Sequence, residues 1–184
     1  PSLVDGAVYS VQFNCTDFAS NVSTPITVTN VTYDFTAPAI SATAPASASF
    51  RNNNLVSYTV SENCATGKIT WTRVSGLADG SSPHVKALTG AELNAGAHNG
   101  IIITNNPTLV DGTSYDVDFD CSDAAGNAGP TITNTGIMYD FTAPTITIQN
   151  LRNNGTVHTG HVIGPANDNV GVSVVEFEFE SNGT

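Results

Sequence analysis

The chain has 184 residues, with 5 Lys+Arg against 16 Asp+Glu and a formal net charge of −11. That balance argues against nucleic acid or anionic membrane as a partner and suits cation binding or a solvated extracellular surface. No stretch approaches the ~18 apolar residues of a membrane span, and few charges among many Thr, Ser, Asn and Gly favour strands over helices.

Read along the chain, period-2 alternation dominates. Tyr9, Val11, Phe13 and Cys15 share one face of a first strand, with Ser10, Gln12 and Asn14 opposite. A second strand follows at Ile26–Tyr33. Strands are then predicted at Ile40–Thr43, Leu55–Ser61, Lys68–Val74, His84–Leu88, Gly100–Thr104, Ser114–Cys121 and Thr131–Tyr139. Val56, Tyr58 and Val60 point inward, as do Ile69 and Trp71, the single tryptophan. In Ser114–Cys121 the apolar row is Tyr115, Val117, Phe119 and Cys121, and Asp116, Asp118 and Asp120 face away. Thr89–Asn94 suggests one helical turn. Val172–Glu180 alternates again, with Glu176, Glu178 and Glu180 on one face. Asn-Gly, Asp-Gly and Pro-containing clusters separate the runs as turns.

The chain also repeats itself. Pro1–Pro38 and Pro107–Pro144 align without a gap at a spacing of 106, and 21 of 38 positions are identical. A period near 100 residues is too long for a solenoid unit and suits a whole β-sandwich domain. The outward aspartates of Ser114–Cys121 have no counterpart in the first copy, so the fold can spare them. The window divides into 1–37, the last two strands of one repeat; 38–143, a complete repeat; and 144–184, the first strands of another. Seven strands in the complete repeat predict an all-β, immunoglobulin-like antiparallel sandwich, with strands A to G in the order above from Ile40 and Trp71 on strand C. The two end pieces cannot bury a core alone. Three sources of order stay open: a longer ordered chain, contact with neighbouring molecules, or a filament in which the head piece of one copy completes the tail piece of another by strand complementation.

Each repeat ends in Tyr-Asp-Phe-Thr-Ala-Pro. Upstream stand Asp17-Phe-Ala-Ser-Asn21 and Asp123-Ala-Ala-Gly-Asn127, and the third copy carries Asn167-Asp-Asn-Val-Gly-Val172. These motifs resemble the bacterial Ig-like domains strung along large extracellular adhesins and surface fibres. The resemblance covers the whole chain. It implies a domain junction at each Thr-Ala-Pro, a loop between the last two strands at each Asp…Asn, and, in some arrays, calcium at the junctions.

In such a sandwich the start of A, the B–C loop and the F–G loop share one pole. That gathers Asp34, Glu62, Asn63, Asp123 and Asn127 at the first junction, and Asp140, Asn167 and Asp168, with Asn169 beside them, at the second. Calcium takes about six to eight oxygens from carboxylates, amides and carbonyls, so the residue types are adequate. The alternative is that Asp123 and Asn127 only shape their turn, and that Asp34 and Asp140 only cap the linker. Cys64 ends strand B and Cys121 ends strand F, at the same pole on opposite sheets. A bridge between them closes a loop that the chain-entropy model values at about 4 kcal/mol; two buried free thiols are the alternative. Cys15 is the repeat equivalent of Cys121. No Cys-x-x-Cys spacing suggests zinc.

His84, His98, His158 and His161 read as solvated or satisfied core positions. No serine–histidine–acid arrangement exists, and the pairs Asp116/Asp118 and Glu176/Glu178 follow from strand alternation, so no catalytic residue is nominated. The expected role is a non-catalytic spacer or stalk in an extracellular or cell-surface bacterial protein or filament, with calcium as the one candidate cofactor. Its expected partners are neighbouring repeats or copies of itself. The alternative is a glycan- or protein-binding adhesion module, although aromatic residues fall mostly at inward positions.

Overall fold

The computed structural model describes residues 2–151, 155 and 162–178. Its strands are β1 (Val8–Phe13), β2 (Ile26–Thr32), β3 (Ile40–Ala44), β4 (Phe50–Arg51), β5 (Val56–Val60), β6 (Thr66–Gly76), β7 (His84–Ala87), β8 (Gly96–Ile101), β9 (Thr113–Ser122), β10 (Ile132–Tyr139), β11 (Thr145–Ile146) and β12 (Ala166–Asn167). A single 3-10 turn, Gly90–Leu93, stands where the helical turn was expected. Its Thr89 N–H donates to Glu92 Oε2 at 2.7 Å.

The central repeat is an all-β sandwich of two sheets. One has the order β3-β5-β8 and the other β4-β10-β9-β6-β7. All pairings are antiparallel except β4 with β10. The alternation that predicted the strands is what closes the sheets on each other. Tyr115, Val117, Phe119 and Cys121 of β9 are buried, as are Val56, Tyr58 and Val60 of β5 and Ile69 and Trp71 of β6. Trp71 meets Tyr115 edge-on with ring centroids 6.2 Å apart, an arrangement that adds to the area the rings remove from water.

Two strand assignments shift. His84–Ala87 pairs with β6, with Trp71 opposite His84, so this strand extends the sheet of C, F and G and does not lie beside E. Strand E runs Gly96–Ile101 and not Gly100–Thr104, because Asn99-Gly100 is no turn. The register slips there, with Val56 opposite Ile101 and Tyr58 opposite His98. Gly100 takes φ +57°, and its N–H donates to Ser57 Oγ at 2.8 Å. This is a bulge inside a strand, where glycine supplies the left-handed conformation. Ile103 still reaches the core, just past the strand end.

The two copies share a second irregularity. The β1–β2 register slips between Tyr9 and Val11, and the β9–β10 register slips at the equivalent place. Asn30 (φ 58°) and Gly136 (φ 68°) occupy it, the two residue types that tolerate that conformation best. The outward aspartates meet β10 here: Asp116 accepts from Gly136 N–H at 2.8 Å, and the Thr133 and Thr131 hydroxyls donate to Asp118 and Asp120.

The end pieces are smaller. β1 and β2 form a two-stranded sheet that leaves Val11, Phe13, Ile26 and Val28 exposed. β11 pairs with β12, with Thr145 opposite Asn167 and Ile146 opposite Ala166. This repeats the β3–β5 pairing of Ile40 with Val60 at the 106-residue spacing. Residues 172–178 of the expected strand Val172–Glu180 form no strand. Alternation of Val and Phe with Glu marks a face but supplies no partner strand, and none pairs there among the described residues. Glu180, His158 and His161 lie outside the described residues.

A polar network closes the base of the sandwich. Tyr115 OH accepts from Val110 N–H at 2.9 Å and donates to Asp79 Oδ2 at 2.7 Å. His84 Nε2 lies 2.6 Å from the same oxygen, and both side chains are buried. Burial alone would raise the Asp79 carboxyl, but the hydrogen bonds from Tyr115, His84 and Ser81 outweigh it and hold it down to about 2. A carboxyl depressed on folding contributes stability that is present above its ordinary value and lost as pH falls through its folded value. The unfolding free energy should therefore decline as pH falls from about 4 toward about 2, and Asp79→Asn should flatten that decline in urea titrations. Tyr115→Phe keeps the ring and removes the bridge. It should cost about 1–3 kcal/mol at neutral pH with an unchanged urea m-value.

Candidate functional site: the junction acids

The first junction is built by three elements of the complete repeat. Asp34 lies in the linker before β3, Glu62 follows β5 and Asp123 follows β9. Carboxylate oxygens of these three residues all lie within 4.8 Å of one another. Asp123 is buried and the other two are half-buried. Burial pushes the Glu62 carboxyl up, and the neighbouring charges of Asp34, Asp123 and Asp5 push it further. Among the described residues the one ion pair is His84 with Asp79, so no lysine or arginine offsets this cluster.

Asp123 also shapes its own loop. Its Oδ1 accepts from Asn127 N–H and its Oδ2 from Asn127 Nδ2, both at 2.8 Å. Burial works against the charge, but these bonds and the Gly126 and Ala125 amides hold the carboxyl below its usual range. Asn127 Nδ2 reaches further and donates to the backbone carbonyl of Asp34 at 3.1 Å. The turn-forming role and the junction position therefore coexist. Asp17 makes the same bonds with Asn21 in the first copy, at 2.9 and 2.8 Å.

Asn63 Oδ1 accepts the Ala95 N–H at 2.8 Å. At the second junction Asp140 Oδ1 accepts from Thr142 N–H at 3.2 Å, and Asp168 Oδ1 accepts from the Val170 and Gly171 amides. Asp168 stands at the repeat position of Glu62, and its Oδ2 is buried without a hydrogen-bond partner. Among the described residues no third acidic group completes a cluster with Asp140 and Asp168. Asn167 is the end of β12 and pairs with Thr145.

Sequence reasoning passed over Asp5 and Asp111. Both belong to Leu-Val-Asp-Gly, a string identical in the two copies, which was the available signal. Asp5 accepts from Phe35 N–H and the Thr36 hydroxyl, and Asp111 from Phe141 N–H and the Thr142 hydroxyl. Asp111 Oδ2 also accepts from Asn169 Nδ2 at 2.9 Å.

Cys64 and Cys121 are paired with Cα atoms 5.9 Å apart, inside the range a bridge requires; strand B stops at Val60, so Cys64 lies in the loop between β5 and β6 and not at the strand's end. Cys15 is free and exposed. His98 stacks on Tyr58 with centroids 4.7 Å apart. The aromatic expectation needs correcting: Phe18, Phe35, Phe50, Phe141 and Phe177 are exposed. They lie in loops, linkers, the short edge strand β4 and the tail, where strand alternation says nothing about burial.

A family model for a bacterial Ig-like domain matches residues 34–143. The chain belongs to the bacterial Ig-like domain family, a non-catalytic domain type typical of extracellular and surface proteins. No curated protein matches it significantly. Among the described residues no helix is long and apolar enough to cross a membrane.

A carboxyl raised on folding makes the protein gain stability as pH falls through its folded value. Glu62→Gln removes the central charge of the cluster. In chelator at neutral pH it should raise the melting temperature, and the gain should vanish as the pH is lowered past the ordinary glutamate value. An unchanged or lower melting temperature at neutral pH would show that the three acids do not strain the junction.

Proposed function

We propose that the chain is a non-catalytic spacer segment of an extracellular bacterial surface protein or filament, stiffened by calcium at its domain junctions. One observation carries this reading. The acidic residues shared by the two copies converge on the joints between repeats. The linker aspartate, the Asp…Asn loop and Leu-Val-Asp-Gly all do so.

Calcium fits the donor set of the first junction. Asp34, Glu62 and Asp123 bring three carboxylates together with no cationic side chain paired to them among the described residues, and hard oxygen ligands are what this ion takes. A bound divalent cation would turn mutual repulsion into shared attraction. The partnerless Oδ2 of Asp168 supports the same chemistry at the second junction. The Cys64–Cys121 pair, oxidised in an extracellular setting, would tie β9 to the loop between β5 and β6 beneath the first junction.

The adhesion-module reading has one observation in its favour: Phe18 is fully exposed in the loop after β1. It is a single ring in a loop whose Asp17 and Asn21 side chains bond each other, so the spacer reading is preferred.

Three measurements test these points. About 1 mM calcium should raise the melting temperature over that in chelator, and a transition that does not move removes calcium from the reading. Reducing the Cys64–Cys121 pair should lower stability by about 4 kcal/mol. Small-angle scattering should give a radius of gyration well above the roughly 16 Å of a single globule of this length. A value near that figure would overturn the spacer role.

A further inference from the structure

The Tyr-Asp-Phe-Thr-Ala-Pro linker has the composition of a flexible connector, yet its polar groups are taken. At the second junction Asp140 N–H donates to the Arg51 carbonyl at 2.8 Å. Phe141 N–H donates to Asp111 at 2.9 Å, and Thr142 N–H to Asp140 Oδ1. At the first junction Phe35 N–H donates to Asp5 at 2.8 Å and Thr36 N–H to Asp34 Oδ1. Ala39 N–H then reaches Ser61 Oγ at 2.8 Å. Pro38 is fully buried, and a Cβ on Gly129 would run into its carbonyl oxygen.

The partners come from both sides of each joint. Asp5 and Asp111 precede the last two strands of the earlier repeat. Asn127 belongs to the later repeat at the first junction, where it holds the Asp34 carbonyl at 3.1 Å. Asn169 belongs to the later repeat at the second, where it bonds Asp111 directly at 2.9 Å. The Thr36 and Thr142 hydroxyls lead the bonds that keep the Asp5 and Asp111 carboxyls below the usual range, so both latches stay charged at neutral pH.

We infer that the linker is a clamped joint: the Asp5 or Asp111 carboxylate of the earlier repeat holds its Phe and Thr, and an asparagine of the later repeat closes from the other side. The relative orientation of successive repeats is then fixed by hydrogen bonds alone, before any metal acts on the acid cluster. Asp5 and Asp111 are positioning residues of the joint. This inference rests on the spacer reading for its purpose but not for its test.

Amide hydrogen exchange by NMR on the intact chain in chelator supplies that test. The Phe35 and Phe141 amides should be protected. Asp111→Ala should make Phe141 exchange at least about tenfold faster while the Val117 and Phe119 amides, which report the sandwich itself, stay unchanged. Asp5→Ala should do the same to Phe35, and Asn169→Ala should speed Phe141 by a smaller factor. Unprotected Phe35 and Phe141 amides in chelator, or protection that appears only with calcium, would overturn the clamp. So would an Asp111→Ala variant that leaves Phe141 unchanged. A compact particle in scattering would sink the spacer role and leave these exchange results standing, so the two failures are distinguishable.

Discussion

The structure hangs on strand β9. It lies in the middle of the five-stranded sheet, hydrogen-bonded to β6 on one side and β10 on the other. Its inward row, Tyr115, Val117, Phe119 and Cys121, is the floor on which the β3-β5-β8 sheet rests. Burial of that row supplies the main favourable term in folding. The two ends of the row do other work. Tyr115 anchors Val110 and the Asp79–His84 pair through its hydroxyl, and Cys121 is bonded to Cys64 in the loop between β5 and β6. Asp111 stands just before the strand and Asp123 just after it, so one segment sets the geometry of both joints.

Much of this was legible as pattern. Strict alternation marks β5, β6 and β9 because each has one face in the core, and a one-residue slip would turn every apolar side chain to solvent. The duplication separated what is kept from what varies, and so pointed to Asp34, Asp123 and Asn127 without a structure. It would equally have marked Asp5 and Asp111 had Leu-Val-Asp-Gly been read as a motif and not as a turn.

The rest was hidden for identifiable reasons. Asn99-Gly100 carries the chemistry of a hairpin turn, and only the register against β5 shows that it serves as a bulge. His84 and Asp79 are five residues apart across a Gly-Ser-Ser-Pro loop, and nothing local indicates that Tyr115 bonds the same Asp79 oxygen. Membership of the B–C loop places Asn63 at the first junction, and nothing local indicates that its Oδ1 accepts the Ala95 N–H. For residues 172–178 the alternating face is present without a paired strand among the described residues.

The position of β9 also has a mechanical consequence. The linkers join the sandwich at β3 and β10, while the latch at Asp111 and the loop at Asp123 sit at opposite ends of one ten-residue strand, so the share of tension carried by the joint contacts crosses the repeat through β9. The antiparallel bonds that tie β9 to β6 and β10 run across that line of pull. They are loaded in shear, all together, and cannot be peeled one at a time. A repeat built this way resists extension through its most deeply buried strand and gives way last where its core is densest.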